Sequence, residues 1–120
     1  MPKKKVTAST FLIHTPGVHH KMAVERAVDE LERDGWSVYW PDRDNEVTGD
    51  DGLEANLENR RQMLAADFVH IMWDGKSSGF LFGLGMAFAL EKHIKVISIP
   101  EPTKWRSFQN LIYRWRNSHF

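Results

Sequence analysis

Residues 67–100, DFVHIMWDGKSSGFLFGLGMAFALEKHIKVISIP, carry the fold. Phe68 to Trp73 is a short run of apolar and aromatic residues, which reads as a strand buried on both sides. Asp74 to Gly79 (DGKSSG) is polar and glycine-containing and reads as a loop. Phe80 to Lys92 is apolar over helical length, and Lys95 to Ile99 (KVISI) is a second β-branched strand closed by Pro100 and Pro102. Strand, loop, helix and strand in this order form a βαβ unit, whose two strands lie parallel in one sheet.

Working outward from this unit, the alternation repeats. Thr7 to Thr15 (TASTFLIHT) is a strand ended by Pro16-Gly17. Met22, Ala23, Ala27, Val28 and Leu31 recur at helical spacing, with Gly35 placed as a C-terminal cap. Trp36 to Trp40 (WSVYW) is a strand stopped by Pro41, and residues 42–52 (DRDNEVTGDDG) read as a long loop. Leu53 to Ala66 is a helix, and the last helix spans about Thr103 to Asn117. The expectation is one α/β domain over residues 1–120, a three-layer, flavodoxin- or Rossmann-like open parallel sheet of four or five strands with helices on both faces. Ligands of such sheets sit at the carboxyl ends of the strands, here residues 14–20, 41–52, 74–79 and 100–103.

Composition narrows the function classes. The 120 residues include no Cys, which excludes a disulfide framework, a thiolate zinc site and a cysteine nucleophile. Sixteen basic residues balance sixteen acidic ones, which weakens the case for wholesale nucleic-acid binding and leaves room for a local basic patch, since Lys104, Arg106, Arg114 and Arg116 fall in the last eighteen residues with no acid among them. No apolar run approaches the roughly 20 residues needed to cross a bilayer. Lys3, Lys4 and Lys5 lead to no cleavable signal pattern, and the chain reads as cytoplasmic.

The strand-to-helix turn at Asp74 to Gly79 offers free amides at a helix start, an arrangement that suits a phosphate or a sugar, and also the ordinary requirements of a serine N-cap. Gly79 and Gly83 lie one turn apart, where a ligand or the sheet backbone approaches closely. Asp74 leads into this loop as a candidate acid or hydroxyl ligand, and equally as an Asp-Gly turn residue. Trp40 and Trp73 end strands, where a ring can stack on a nucleobase or fill the core. Of the histidines, His14, His19 and His20 gather near the end of the first strand without a carboxylate at helical spacing to complete a metal site, and His70 reads as a core residue. No metal or cofactor is expected. The C-terminal helix, with Trp105, Phe108, Leu111, Ile112 and Trp115 on one stripe, is expected to pack on the sheet and extend into a homo-oligomer contact.

Asp67, the run Gly79-Phe80-Leu81-Phe82-Gly83-Leu84-Gly85-Met86-Ala87, and Val96-Ile97-Ser98-Ile99-Pro100 together resemble the nucleoside 2-deoxyribosyltransferase family and its N-glycoside hydrolase relatives. The resemblance covers about a third of the chain closely, and implies a flavodoxin-like sheet and a nucleoside or nucleotide ligand. In that family a glutamate attacks the anomeric carbon while a further group protonates the leaving base, the logic of retaining glycosidases. The matched positions here are Gly83 for the nucleophile and Ser77 and Asn59 for two further acids, so none of the three is a carboxylate. The resemblance therefore implies a binding protein that has lost the transferase nucleophile. Its ligand set is Thr15, Pro16, Gly17, Trp40, Asp42, Trp73, Asp74, Ser77, Ser78, Gly79 and Gly83. An N-glycosidase or deoxyribosyltransferase with a relocated acid, Asp74, and an assembly protein with a vestigial pocket are the alternatives.

Overall fold

The computed structural model describes residues 7–16, 20–49 and 51–118. Its elements are β1 (Ser9–His14), α1 (Lys21–Arg33), β2 (Ser37–Tyr39), α2 (Pro41–Asp44), α3 (Leu53–Ala65), β3 (Phe68–Met72), α4 (Ser78–Ala89), β4 (Ile94–Ser98) and α5 (Phe108–Trp115). All strand pairs are parallel, in the order β2-β1-β3-β4. The α/β architecture read from the sequence is the one observed, with four strands.

Alternation along the strands divides the core in two. Phe11 and Ile13 of β1, Val69 and Ile71 of β3 and Ile94 of β4 face a layer formed by α3, α4 and α5. Leu12 and Val38 face α1 through Val24 and Val28. α4 seats Phe80, Leu84 and Ala87 on the sheet, at the i, i+4, i+7 spacing that lines one helix face. Each large side chain buried this way contributes about 1.5–3 kcal/mol. α5 anchors through Ile112 and Trp115.

On the α1 side of β3, Trp36 sets its edge against Phe68 and His70, with ring centroids 5.3 and 4.8 Å apart. His70 shares a 2.6 Å hydrogen bond between Nδ1 and Thr10 Oγ1 and is buried. Burial first, and the Lys95 ammonium second, lower its pKa to about 4. At the opposite end of the strands, Asp67 Oδ2 accepts from the Ser9 amide at 2.9 Å and from Ser9 Oγ at 3.1 Å. The aspartate opening the third strand thus ties β1 to β3 at the edge away from the strand tips.

Two segments differ from the sequence expectation. Residues 41–44 form a helical turn instead of loop, because Asp44 Oδ2 accepts from the Trp40 amide at 2.8 Å and Arg43 is held by Asp44 and Glu32. The last helix starts at Phe108, not near Thr103. Asn110 folds back onto Thr103, its Oδ1 accepting from the Thr103 amide and its Nδ2 donating to the carbonyls of Thr103 and Trp105, while Ser107 Oγ caps the helix. Trp105 therefore lies outside the helix and exposed, off the stripe expected for it.

Candidate functional site

The connection from β2 through α2 to α3, together with the start of α4, surrounds the end of β1. Between α3 and α4 this leaves a cleft of about 250 Å³ lined by Pro16, Asp42, Asn56, Asn59, Gly79, Phe82 and Gly83, over a floor that includes Ile13, Met63 and Met86. Asn59 on α3 and Gly83 on α4, two of the positions singled out by the resemblance, meet in this cleft. Asn59 Oδ1 accepts from Asn45 Nδ2 at 2.8 Å, and the same Asn45 amide donates to the Ala55 carbonyl at 2.9 Å. Asn45 thereby fastens the segment after α2 to α3 and fixes the Asn59 side chain.

Glycine at 83 lets α4 approach β1. A Cβ there would come 3.1 Å from Ile13 Cγ2, so any side chain requires Ile13 to give way. Gly79 is different, since a Cβ there meets nothing nearer than Ser77 Oγ at 3.9 Å. Phe82, between these glycines, is exposed at the cleft and is the aromatic ring that sequence reasoning did not single out. Its signal is the placement of a ring among glycines on an apolar helix.

Asp42 is the carboxylate of the cleft lining. Its Oδ2 lies 3.5 Å from His14 Nε2. His14 accepts from Trp40 Nε1 through Nε2 at 2.9 Å and bonds the Thr15 carbonyl through Nδ1 at 2.8 Å. An indole N–H only donates and a carbonyl only accepts, so these two bonds put a ring hydrogen on Nδ1 and engage both nitrogens of His14. Trp40 itself is buried and walls a second, wider cavity of about 780 Å³ on the α1 side, together with Lys21, Asp29, Asp42 and Arg43.

The remaining predicted residues lie elsewhere. Trp73 is part of the core, stacked on Phe80 with ring centroids 5.3 Å apart. Asp74, with Thr15, lines a separate hollow that also holds His20, at 3.4 Å from Asp74 Oδ2. Asp74 Oδ1 accepts from the amides of Lys76 and Ser77 at 2.8 and 3.3 Å. The Lys76 amide above all, with Thr15, Ser77 and His20, holds its carboxyl below the ordinary carboxylate value against the effect of desolvation. It is thus the residue that shapes the turn, and at neutral pH it has no proton to give. Ser77 caps α4, its Oγ accepting from the Phe80 amide at 3.3 Å, and Ser78 is exposed on the first turn. Gly17 and His19 lie outside the described residues. Among the described residues no three His, Asp or Glu side chains converge as a metal site, and no helix is long and apolar enough to cross a membrane.

No protein-family model and no curated protein matches the chain. Among solved structures it is similar to a 2-deoxyribosyltransferase from the psychrotolerant bacterium Bacillus psychrosaccharolyticus, with a TM-score of 0.63 at 16% identity, over 94% of this chain and 93% of that one. At this identity the likeness shows the fold, an α/β sheet of deoxyribosyltransferase type.

Proposed function

We propose that the protein binds a nucleoside in the cleft between α3 and α4 and does not carry out the transferase chemistry associated with this fold. The observation that carries the reading is that positions 59 and 83 share one cleft and are Asn and Gly. A glycine has no atom to attack an anomeric carbon, and an asparagine amide neither attacks as a carboxylate does nor transfers a proton at neutral pH. The cleft keeps binding chemistry: Asp42 to accept a sugar hydroxyl, the accessible backbone at Gly79, and Phe82 to stack on a base. Its lining holds one carboxylate and no Lys or Arg, which favours an uncharged nucleoside over a nucleotide.

A second reading rests on Asp42 itself. A carboxylate in the cleft next to His14 would supply a relocated acid for N-glycosidic cleavage, the role expected for Asp74. One experiment separates the two. The protein is incubated with nucleosides, deoxynucleosides and their monophosphates, recording thermal stabilisation and free-base release together. The binding reading expects stabilisation by one or more nucleosides, weaker for the monophosphates, with no base released. A ligand present at about 100 times its Kd adds roughly 2.7 kcal/mol, a shift of several degrees for a domain of this size. Asp42→Ala and Phe82→Ala are expected to reduce it. Base release that is lost in Asp42→Ala establishes the glycosidase, and stabilisation by none of the compounds refutes the cleft as a nucleoside site.

A further inference from the structure

α3 presents two faces. One faces inward, where Met63 is buried in the core and Asn56 and Asn59 reach the cleft. The other carries Leu53, Leu57 and Leu64, exposed at 58%, 42% and 63%. A single exposed leucine is ordinary. Here three fall on one line, and with Arg60 the positions 53, 57, 60 and 64 follow the i, i+4, i+7, i+11 spacing of a coiled-coil seam. A helix that only covers its own sheet keeps this outer face polar.

The charges beside the stripe select the occupant. Glu54 and Arg61 are seven residues apart, so they flank the seam on the same side, acid near the start of the helix and base near its end. Among the described residues Glu54 and Arg60 have no ion-pair partner, and Arg61 is paired along the helix with Glu58. A parallel copy of α3 would set Arg60 against its own like within the seam. An antiparallel copy about a two-fold axis sets Leu53 against Leu64 of the second copy, Leu57 against the aliphatic stem of Arg60, and Glu54 beside Arg61, each contact occurring twice. From this self-complementarity we propose that the outer face of α3 is the contact between two copies of this chain, paired antiparallel.

The size of the face sets the strength. A helix of 13 residues is roughly 20 Å long and about 10 Å wide, so the contact falls below the roughly 800 Å² per partner of a standard stable complex. The dimer is therefore weak and concentration-dependent. Its residues are distinct from those placed in the ligand cleft, and it stands or falls independently of the nucleoside reading.

Sedimentation of the full chain over a concentration series, from low micromolar to near millimolar, tests the contact, with circular dichroism verifying that each variant is folded. The wild type is expected to pass from monomer to dimer. Leu57→Lys, which sets a second cation beside Arg60 in the seam, is expected to remain monomeric throughout. Glu54→Arg should weaken the dimer roughly tenfold, and adding Arg61→Glu to it should restore the wild-type midpoint. A wild type that is monomeric at every concentration overturns the proposal. So does self-association that Leu57→Lys and Glu54→Arg leave unchanged, since the contact then lies on another face.

Discussion

His70 makes the stability of the fold depend on pH in a calculable way. Its ring is 5% exposed, fixed between Thr10 and Trp36, with Lys95 as the nearby cation. Its pKa falls from an ordinary 6.5 to about 4 in the folded protein. For a base, a depressed folded-state pKa means that the unfolded chain binds the proton more readily. Stability is therefore complete above pH 6.5, declines as the pH falls from there toward 4, and levels off below. At about 1.4 kcal/mol per pH unit the full effect is ~3 kcal/mol, a large part of the roughly 5–15 kcal/mol available to a domain. The carboxyls of Asp44, Asp67 and Asp74 are also held below their ordinary values and weaken the fold in acid as well, so the test is a difference. Urea unfolding from pH 7 to pH 4 is compared between the wild type and Thr10→Val/His70→Leu, which removes the histidine and its hydrogen-bond partner together and leaves neither unpaired. The wild type is expected to lose ~3 kcal/mol more than the double variant over this range. Equal losses would show that His70 is protonated as easily in the folded state as in the unfolded one, and would refute the argument.

Two further substitutions probe the strand tips and the sheet. Gly75 has φ of +86°, and a Cβ there would come 2.8 Å from Pro100 Cγ; Gly75→Ala is expected to cost about 1–3 kcal/mol, read as a fall in Tm, and an unchanged Tm would show that the turn relaxes freely. The Tyr39 hydroxyl is buried without a hydrogen-bond partner among the described residues, and its ring is stacked on Phe11 with centroids 5.4 Å apart. Tyr39→Phe keeps the stack and removes the orphaned oxygen, so unfolding by urea should show stability unchanged or raised by up to about 1 kcal/mol; a loss larger than that would mean that the hydroxyl has a partner.

The fold was legible because its main signals are local. Val69 and Ile71 sit in an apolar run too short for a helix, Phe80, Leu84 and Ala87 recur at helical spacing, and Gly35 ends α1 with positive φ. Where the reading failed, the deciding interactions span several residues and involve polar side chains. The turn at 41–44 is held by Arg43 reaching back to Glu32, eleven residues earlier. The segment before α5 is shaped by one asparagine amide folded onto Thr103 and Trp105. Neither leaves a mark in hydrophobic periodicity, which is why apolar spacing extended α5 to Thr103 and composition alone made residues 42–52 a loop.

The site was legible only in part, because a sequence gives positions along a strand and not the side of the sheet on which each tip opens. Trp40 and Trp73 both end strands, yet one walls the wide cavity on the α1 side and the other lies in the core beneath α4. The glycines show the same limit at finer scale. Gly79 and Gly83 are one turn apart, and spacing alone leaves both open to a close approach by a ligand or by the sheet backbone. Geometry separates them: at 83 a side chain would press on Ile13, whereas at 79 there is room. Glycine at 83 therefore also serves the packing of α4 on β1. A glutamate introduced at 83 would need Ile13 to move before its carboxylate could occupy the cleft. Gly79 has no such packing reason to be glycine, and of the two it is the one whose small size leaves backbone open to a ligand.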